Sequence, residues 1–422
     1  MKEKLLSLLL PLALLAGCAA PAGAYRLPAE VTDLSQPVEA GTPAPPEADG
    51  AADAAIGNLG AQLLRAVREP GVNALLSPLS ISLALSMTAN GAAGDTLAEF
   101  EALLGADVDT VNANAASLLA EYEHLGGSTV SNLADSLWLD DSLEANELFL
   151  SRCTAFYDAG LYQADLATEQ TRRAVNGWVE ENTGGMIPEI LTEVPAEDAA
   201  LLLVNALYLK NTWADGFDPN STREDSFYAA DGTGTVTDFL SNGIRQEQYF
   251  RTEDAAGVVL PYDDGRLAFA AVLPDGDLDA WLENLDGGTF PALVGAAEDT
   301  RLLLRMPRFE AEWGGELKDV LSALGLDAAF DPARADLSGL GTTESGGPLF
   351  IDSVLHRAKI QVDEEGTEAA AATVVMAPAG APAPMDYEEL ILDRPFCYAI
   401  VDLERGVPLF LGTFERPQPA GG

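Results

Sequence analysis

Residues 362–373 read Val362-Asp363-Glu364-Glu365-Gly366-Thr367-Glu368-Ala369-Ala370-Ala371-Ala372-Thr373, and the fold turns on them. Alanine buries little area, so the run cannot build a core of its own. Alanine does favour helix, and an alanine-rich helix or a flexible linker is the plain alternative. Pro378, Pro382 and Pro384 follow closely and argue instead for an exposed loop. Side chains alternate across an extended chain. Thr367, Ala369, Ala371, Thr373 and Val375 therefore share one face, and Glu368, Ala370, Ala372 and Val374 the other. Gly366 supplies backbone freedom at the pivot. A linker leaves unexplained why a β-run over 359–362 feeds directly into this stretch.

Outward from there, 396–403 and 409–414 around Glu404-Arg405-Gly406 predict a terminal hairpin. Residues 200–209 are continuously apolar and end in Asn211-Thr212-Trp213, as expected for a central strand covered on both faces. The runs 257–262, 267–273, 301–306 and 359–362 add strands bounded by Pro, Gly and Asp. Nearer the N-terminus the period is helical. Ile56, Leu59, Leu63, Leu64 and Val67 share a face, and Pro70-Gly71 stops the helix. Ser77 caps and Pro78 opens a second helix, apolar nearly all round over 81–90 and so expected to be buried. Further helices fit 96–104, 146–156 and 171–182. Helices first and strands later predict one α+β domain over residues 53–417.

The first segment reads as an address. Two lysines precede an apolar run over 5–15, too short to span a bilayer as a helix, and Leu15-Ala16-Gly17-Cys18 closes it. This resembles a bacterial lipoprotein signal, which implies a lipidated Cys18 after cleavage, an exported protein and a membrane partner. Residues 19–52, rich in Ala, Pro, Gly and acids, read as a disordered tether. The expected location is extracytoplasmic, at the bacterial cell surface or released from it.

Composition narrows the chemistry. The net charge of −44 disfavours nucleic acid and heparin, and reads otherwise as a solvated surface. His124 and His356 are the two histidines, too few for His-rich metal sites or most acid–base catalysis, so no metal and no cofactor is expected. The sequence has no Gly-x-Ser-x-Gly elbow, His-Glu-x-x-His or phosphate loop. A run from Asp275 starts like a calcium loop but lacks the sixth-position glycine. Whether Cys153 and Cys397 pair depends on the fold.

Six separated blocks resemble the serpin family. They are Asn73-Ala74-Leu75-Leu76-Ser77-Pro78-Leu79-Ser80-Ile81, Gly184-Gly185-Met186-Ile187-Pro188, and Val204-Asn205-Ala206-Leu207-Tyr208-Leu209-Lys210-Asn211-Thr212-Trp213. Ala335-Asp336-Leu337-Ser338-Gly339, Val354-Leu355-His356-Arg357-Ala358 and Asp393-Arg394-Pro395-Phe396 complete the set. Their order across more than three hundred residues carries the resemblance. It implies a serpin fold of three β-sheets with about nine helices, an exposed reactive-centre loop over about 364–392, and a serine protease inhibitor rather than an enzyme. Ser77, Ser80, Asn205 and His356 match a polar gate beneath the sheet, and Trp213 a position where insertion begins.

The resemblance also gives the hinge from Glu364 to Thr373 a role: once cut, the loop slides into the sheet as a new strand. The target protease is then trapped as a covalent acyl complex. Counting forward from Glu364 puts the reactive bond at Gly380–Ala381. A backward count points near Met385, and Met376 and Ala379 are further alternatives. No Lys or Arg lies in 374–385, which disfavours trypsin-like targets and suits elastase-like or subtilisin-like ones. The rival readings are a non-inhibitory binding protein of the same fold and an inhibitor of cysteine proteases. A monomer is expected.

Overall fold

Ser77 and Pro78 open the buried helix as their chemistry requires. The Ser77 hydroxyl accepts from the Ser80 amide, Pro78 sits in the first turn, and every residue of Pro78–Ala89 is buried. The computed structural model describes residues 26–35, 50, 52–123, 125–127, 129–157, 159–197, 199–343, 347–367 and 386–417. Among the described residues there are nine α-helices and three sheets, an α+β fold. Helices foreseen after residues 95, 145 and 170 lie at Gly94–Leu104, Glu147–Tyr157 and Glu169–Asn182.

The central sheet has seven strands. In spatial order they are Thr32–Asp33, Gly160–Ala164, Val130–Asp140, Leu201–Thr212, Gly366–Thr367, Ser353–Val362 and Phe309–Glu316. Leu201–Thr212 is buried on both faces. Leu203, Leu207 and Leu209 join the main core, while Leu202, Val204 and Ala206 join a second one that includes Trp138 and Trp178. Ser353–Val362 shows the period of two, with Val354, His356, Ala358, Ile360 and Val362 buried.

These two long strands run parallel, from Ser353 opposite Leu202 up to Lys359 opposite Tyr208. Beyond Tyr208 they part. Gly366–Thr367 fills the opening and is antiparallel to both, with Gly366 opposite Thr212 and Thr367 opposite Asn211 and Val362. The ten-stranded second sheet holds the terminal hairpin Phe396–Asp402 and Pro408–Phe414, and the third pairs Leu143–Ala145 with Gly341–Thr343.

The structure adds to the sequence reading, corrects it in places and decides the cysteine pairing it left open. Helix Val108–Tyr122 and strand Val130–Asp140 were not anticipated, because polar residues within them are buried and internally bonded. Part of the tether is folded: Thr32 and Asp33 pair with Gln163 and Tyr162, and Val31 is buried in the second core. The loop is shorter than 364–392. Asp363, Glu364, Gly366 and Thr367 are buried, and Glu388–Ile391 is a strand parallel to Glu298–Pro307. Cys153 and Cys397 are buried free thiols and do not pair. Cys18, His124, hinge residues Glu368, Ala369, Ala370, Ala371, Ala372 and Thr373, and the bait positions Met376, Ala379, Gly380, Ala381 and Met385 lie outside the described residues.

Candidate functional site

The hinge leaves the sheet through a tight turn. Asp363 Oδ1 accepts from the amides of Glu365 at 2.9 Å and Gly366 at 3.2 Å, and the Asp363 amide donates to the Gly366 carbonyl. Burial pushes the Asp363 carboxyl above its ordinary range, against the pull of those two amides. The chain is thereby turned back into the sheet it has just left.

Trp213 anchors that turn. Its backbone amide donates to the Glu365 carbonyl and its indole Nε1 to the Asp363 carbonyl, each at 2.9 Å. Its ring stacks on Tyr262 with centroids 4.8 Å apart and meets the edges of Phe217 and Phe269. Phe217 donates its amide to the Glu364 carbonyl, and the Thr222 hydroxyl donates to the Glu364 carboxylate at 2.8 Å. Arg308 lies 3.7 Å from the other carboxylate oxygen.

Thr367 is the leading side chain. It is fully buried, and its hydroxyl shares a 2.7 Å hydrogen bond with that of Tyr262. Gly366 serves here by being small: a Cβ would lie 2.0 Å from the Asn211 carbonyl oxygen and 2.7 Å from the Thr212 Cα. Two backbones approach at a distance that only glycine allows. Tyr262 carries the contact and was missed, since a tyrosine ending a strand looks like any other.

The polar cluster lies lower, where the two long strands are still in contact. The Ser77 amide donates to His356 Nε2 at 3.1 Å. In a neutral imidazole Nδ1 must then hold the proton, and it donates to Asn205 Oδ1. The Asn205 amide nitrogen in turn donates to Asp135. Asp135, Asn205 and His356 sit directly opposite one another on three adjacent strands.

Burial depresses His356 to about 3, so the ring is neutral at physiological pH. The same burial raises Asp135 to about 7, against the pull of Asn205 and the nearby Ser80 hydroxyl. That hydroxyl has no partner in full hydrogen-bonding geometry. The structure thus brings Ser77, Ser80, Asn205 and His356 into one cluster and sets Trp213 and the hinge above it. Asp135 escaped the sequence reading. Its signal was an acid in phase with the core residues Leu137 and Leu139.

The geometry has close parallels. The family model described as Serpin (serine protease inhibitor) matches residues 54–417. Serpin-ZXA of Oryza sativa subsp. japonica is 33% identical over 366 residues, covering 82% of this chain and 91% of the rice protein. The leukocyte elastase inhibitor of Bos taurus is 32% identical over 363 residues, covering 82% and 94%. Among solved structures, the native state of tengpin, a thermophilic serpin, matches with a TM-score of 0.84 at 29% identity, over 92% of this chain and all of that one. Its latent state matches at 0.74 and 28% identity, over 88% and 98%. A central sheet entered at its top by two hinge residues, and a sequence related along most of its length, place this chain in the serpin family, most of whose members inhibit serine proteases rather than catalyse reactions.

Proposed function

We propose that this protein inhibits elastase-like or subtilisin-like serine proteases by suicide cleavage of the loop between Thr367 and Asp386. One observation carries the reading: Gly366–Thr367 already sits as an antiparallel wedge at the top of two parallel strands. Those strands can part and accept the chain that follows. A strand of about a dozen residues bonded on both sides gains roughly 0.5–1.5 kcal/mol per hydrogen bond, on the order of ten kcal/mol in all. The uncut state is then a kinetic trap, and cleavage releases it.

The protease serine attacks the carbonyl of Gly380 and forms an ester, expelling the amine of Ala381. Insertion of 368–379 then carries the tethered protease away before water can hydrolyse the ester. This chain supplies the moving strand and the protease supplies the nucleophile. Small residues around the bond, and the name of the bovine relative, support an elastase-like target.

Incubation with pancreatic elastase tests this. The expected products are an SDS-stable adduct and a released peptide whose first residue is Ala381. Cleavage without adduct would instead identify a substrate or a non-inhibitory member of the fold. Lipid attachment at Cys18 and a place at the bacterial surface belong to the same proposal. Fatty-acid labelling that persists in Cys18→Ser would overturn that part.

A further inference from the structure

Insertion must separate Asn205 from His356, because the incoming strand passes between the strands that carry them. Asn205 and Asp135 stay together on neighbouring antiparallel strands. In the closed row each polar atom has one task, fixed in sequence from the Ser77 amide: His356 Nδ1 to Asn205 Oδ1, then Asn205 Nδ2 to Asp135 Oδ1. Opening the gate leaves Asn205 Oδ1 without its donor in a buried site, a costly state.

We propose that Asp135 is the latch of this gate, a positioning residue that holds Asn205 against His356 while ionised and lets the two strands part once it gains a proton. The inference rests on the insertion reading above. A carboxylate has no proton to give, and its charge strengthens the hydrogen bonds along the row. A carboxylic acid can donate to Asn205 Oδ1 while accepting from Nδ2, so it replaces His356 as that strand leaves. Asp135 is buried in both states, so the cost of its burial cancels. The orphaned amide oxygen does not.

The surroundings leave this proton to Asp135. Helix Pro78–Ala89, packed above it, has no ionisable side chain. His356 is held neutral by burial far below physiological pH. Across a cavity of about 510 Å³, Tyr122 and Glu123 face it from one helix and Tyr157 from another. Burial raises both phenols well above their usual value. Glu123 is exposed at the cavity wall. Desolvation raises the Asp135 carboxyl against the pull of Asn205 and Ser80. Asp135 itself lines this cavity.

The test uses the intact, uncut protein and a synthetic peptide of residues 367–379, whose annealing into the sheet is followed by the gain in thermal stability. With a midpoint at about 7, the annealing rate should rise about tenfold from pH 8 to pH 6. Asp135→Asn, which keeps an acceptor but cannot titrate, should anneal at a rate independent of pH, and Glu123→Gln should follow the wild type. A flat wild-type profile, or an unchanged profile in Asp135→Asn, overturns the latch. Failure of the peptide to anneal at any pH would overturn the insertion reading itself.

Discussion

Replacing Thr367 with arginine should turn the inhibitor into a substrate. The side chain is fully buried between two strands, with its hydroxyl 2.7 Å from that of Tyr262. An arginine there strands the Tyr262 hydroxyl, costing about 1–3 kcal/mol. It also brings a guanidinium into a fully buried site, and a buried charge left uncompensated costs about 3–5 kcal/mol. The variant avoids both by keeping 366–367 out of the slot. Residue 367 must enter first, however, so the same cost reappears as a barrier after cleavage. At 1.4 kcal/mol per tenfold, insertion slows by roughly a hundredfold or more, and hydrolysis of the ester overtakes it. The assay is titration of elastase with inhibitor, read on an SDS gel as adduct against cleaved chain. Thr367→Arg should give cleaved chain with no gain in thermal stability, and Thr367→Ser should behave like wild type. Undiminished adduct in Thr367→Arg would refute the reasoning, because a charge would then have passed through the sheet.

Trp213→Ala removes the ring stacked on Tyr262 and the donor to Asp363, and should cost about 3–5 kcal/mol, seen as a lower Tm. It should also speed spontaneous loss of inhibitory activity on storage, as the turn that parks the hinge loosens. The two buried titrating groups should give opposite pH slopes in stability. His356 is depressed, so the unfolded chain binds its proton first and stability falls as pH drops from about 6.5 towards 3. Asp135 is raised, so its contribution is full in acid and is lost as pH rises from about 4 to 7. Across their shared window the two slopes offset each other. Denaturant titration of Asp135→Asn should expose the histidine slope, and His356→Gln the aspartate one. Parallel slopes in the two variants would contradict the assignment.

Local chemistry made much of this legible. Ser77 and Pro78 set a helix start through a cap and a fixed φ, and the run 200–209 announced a strand with no solvent face. Both signals lie within a few residues of the structure they specify. The segments missed were those whose polar residues look like surface. Asn112 and Asn114 belong to a helix, yet they face inward: Asn112 to Asn90 and Tyr157, Asn114 to Arg405. Residues 26–35 looked like linker because three spaced apolar residues are too few to mark an element, but enough to fill a groove already formed by others.

The hinge divides along the same line. Its alternation of small side chains was written in the sequence, since a period of two needs no partner to be read. How far it has entered was decided by tertiary structure, through the approach of Gly366 to Asn211 and the meeting of Thr367 with Tyr262, 105 residues away. The latch is the further case. An aspartate joins this polar row only when strand register sets it opposite Asn205, and burial then raises its carboxyl above the ordinary range.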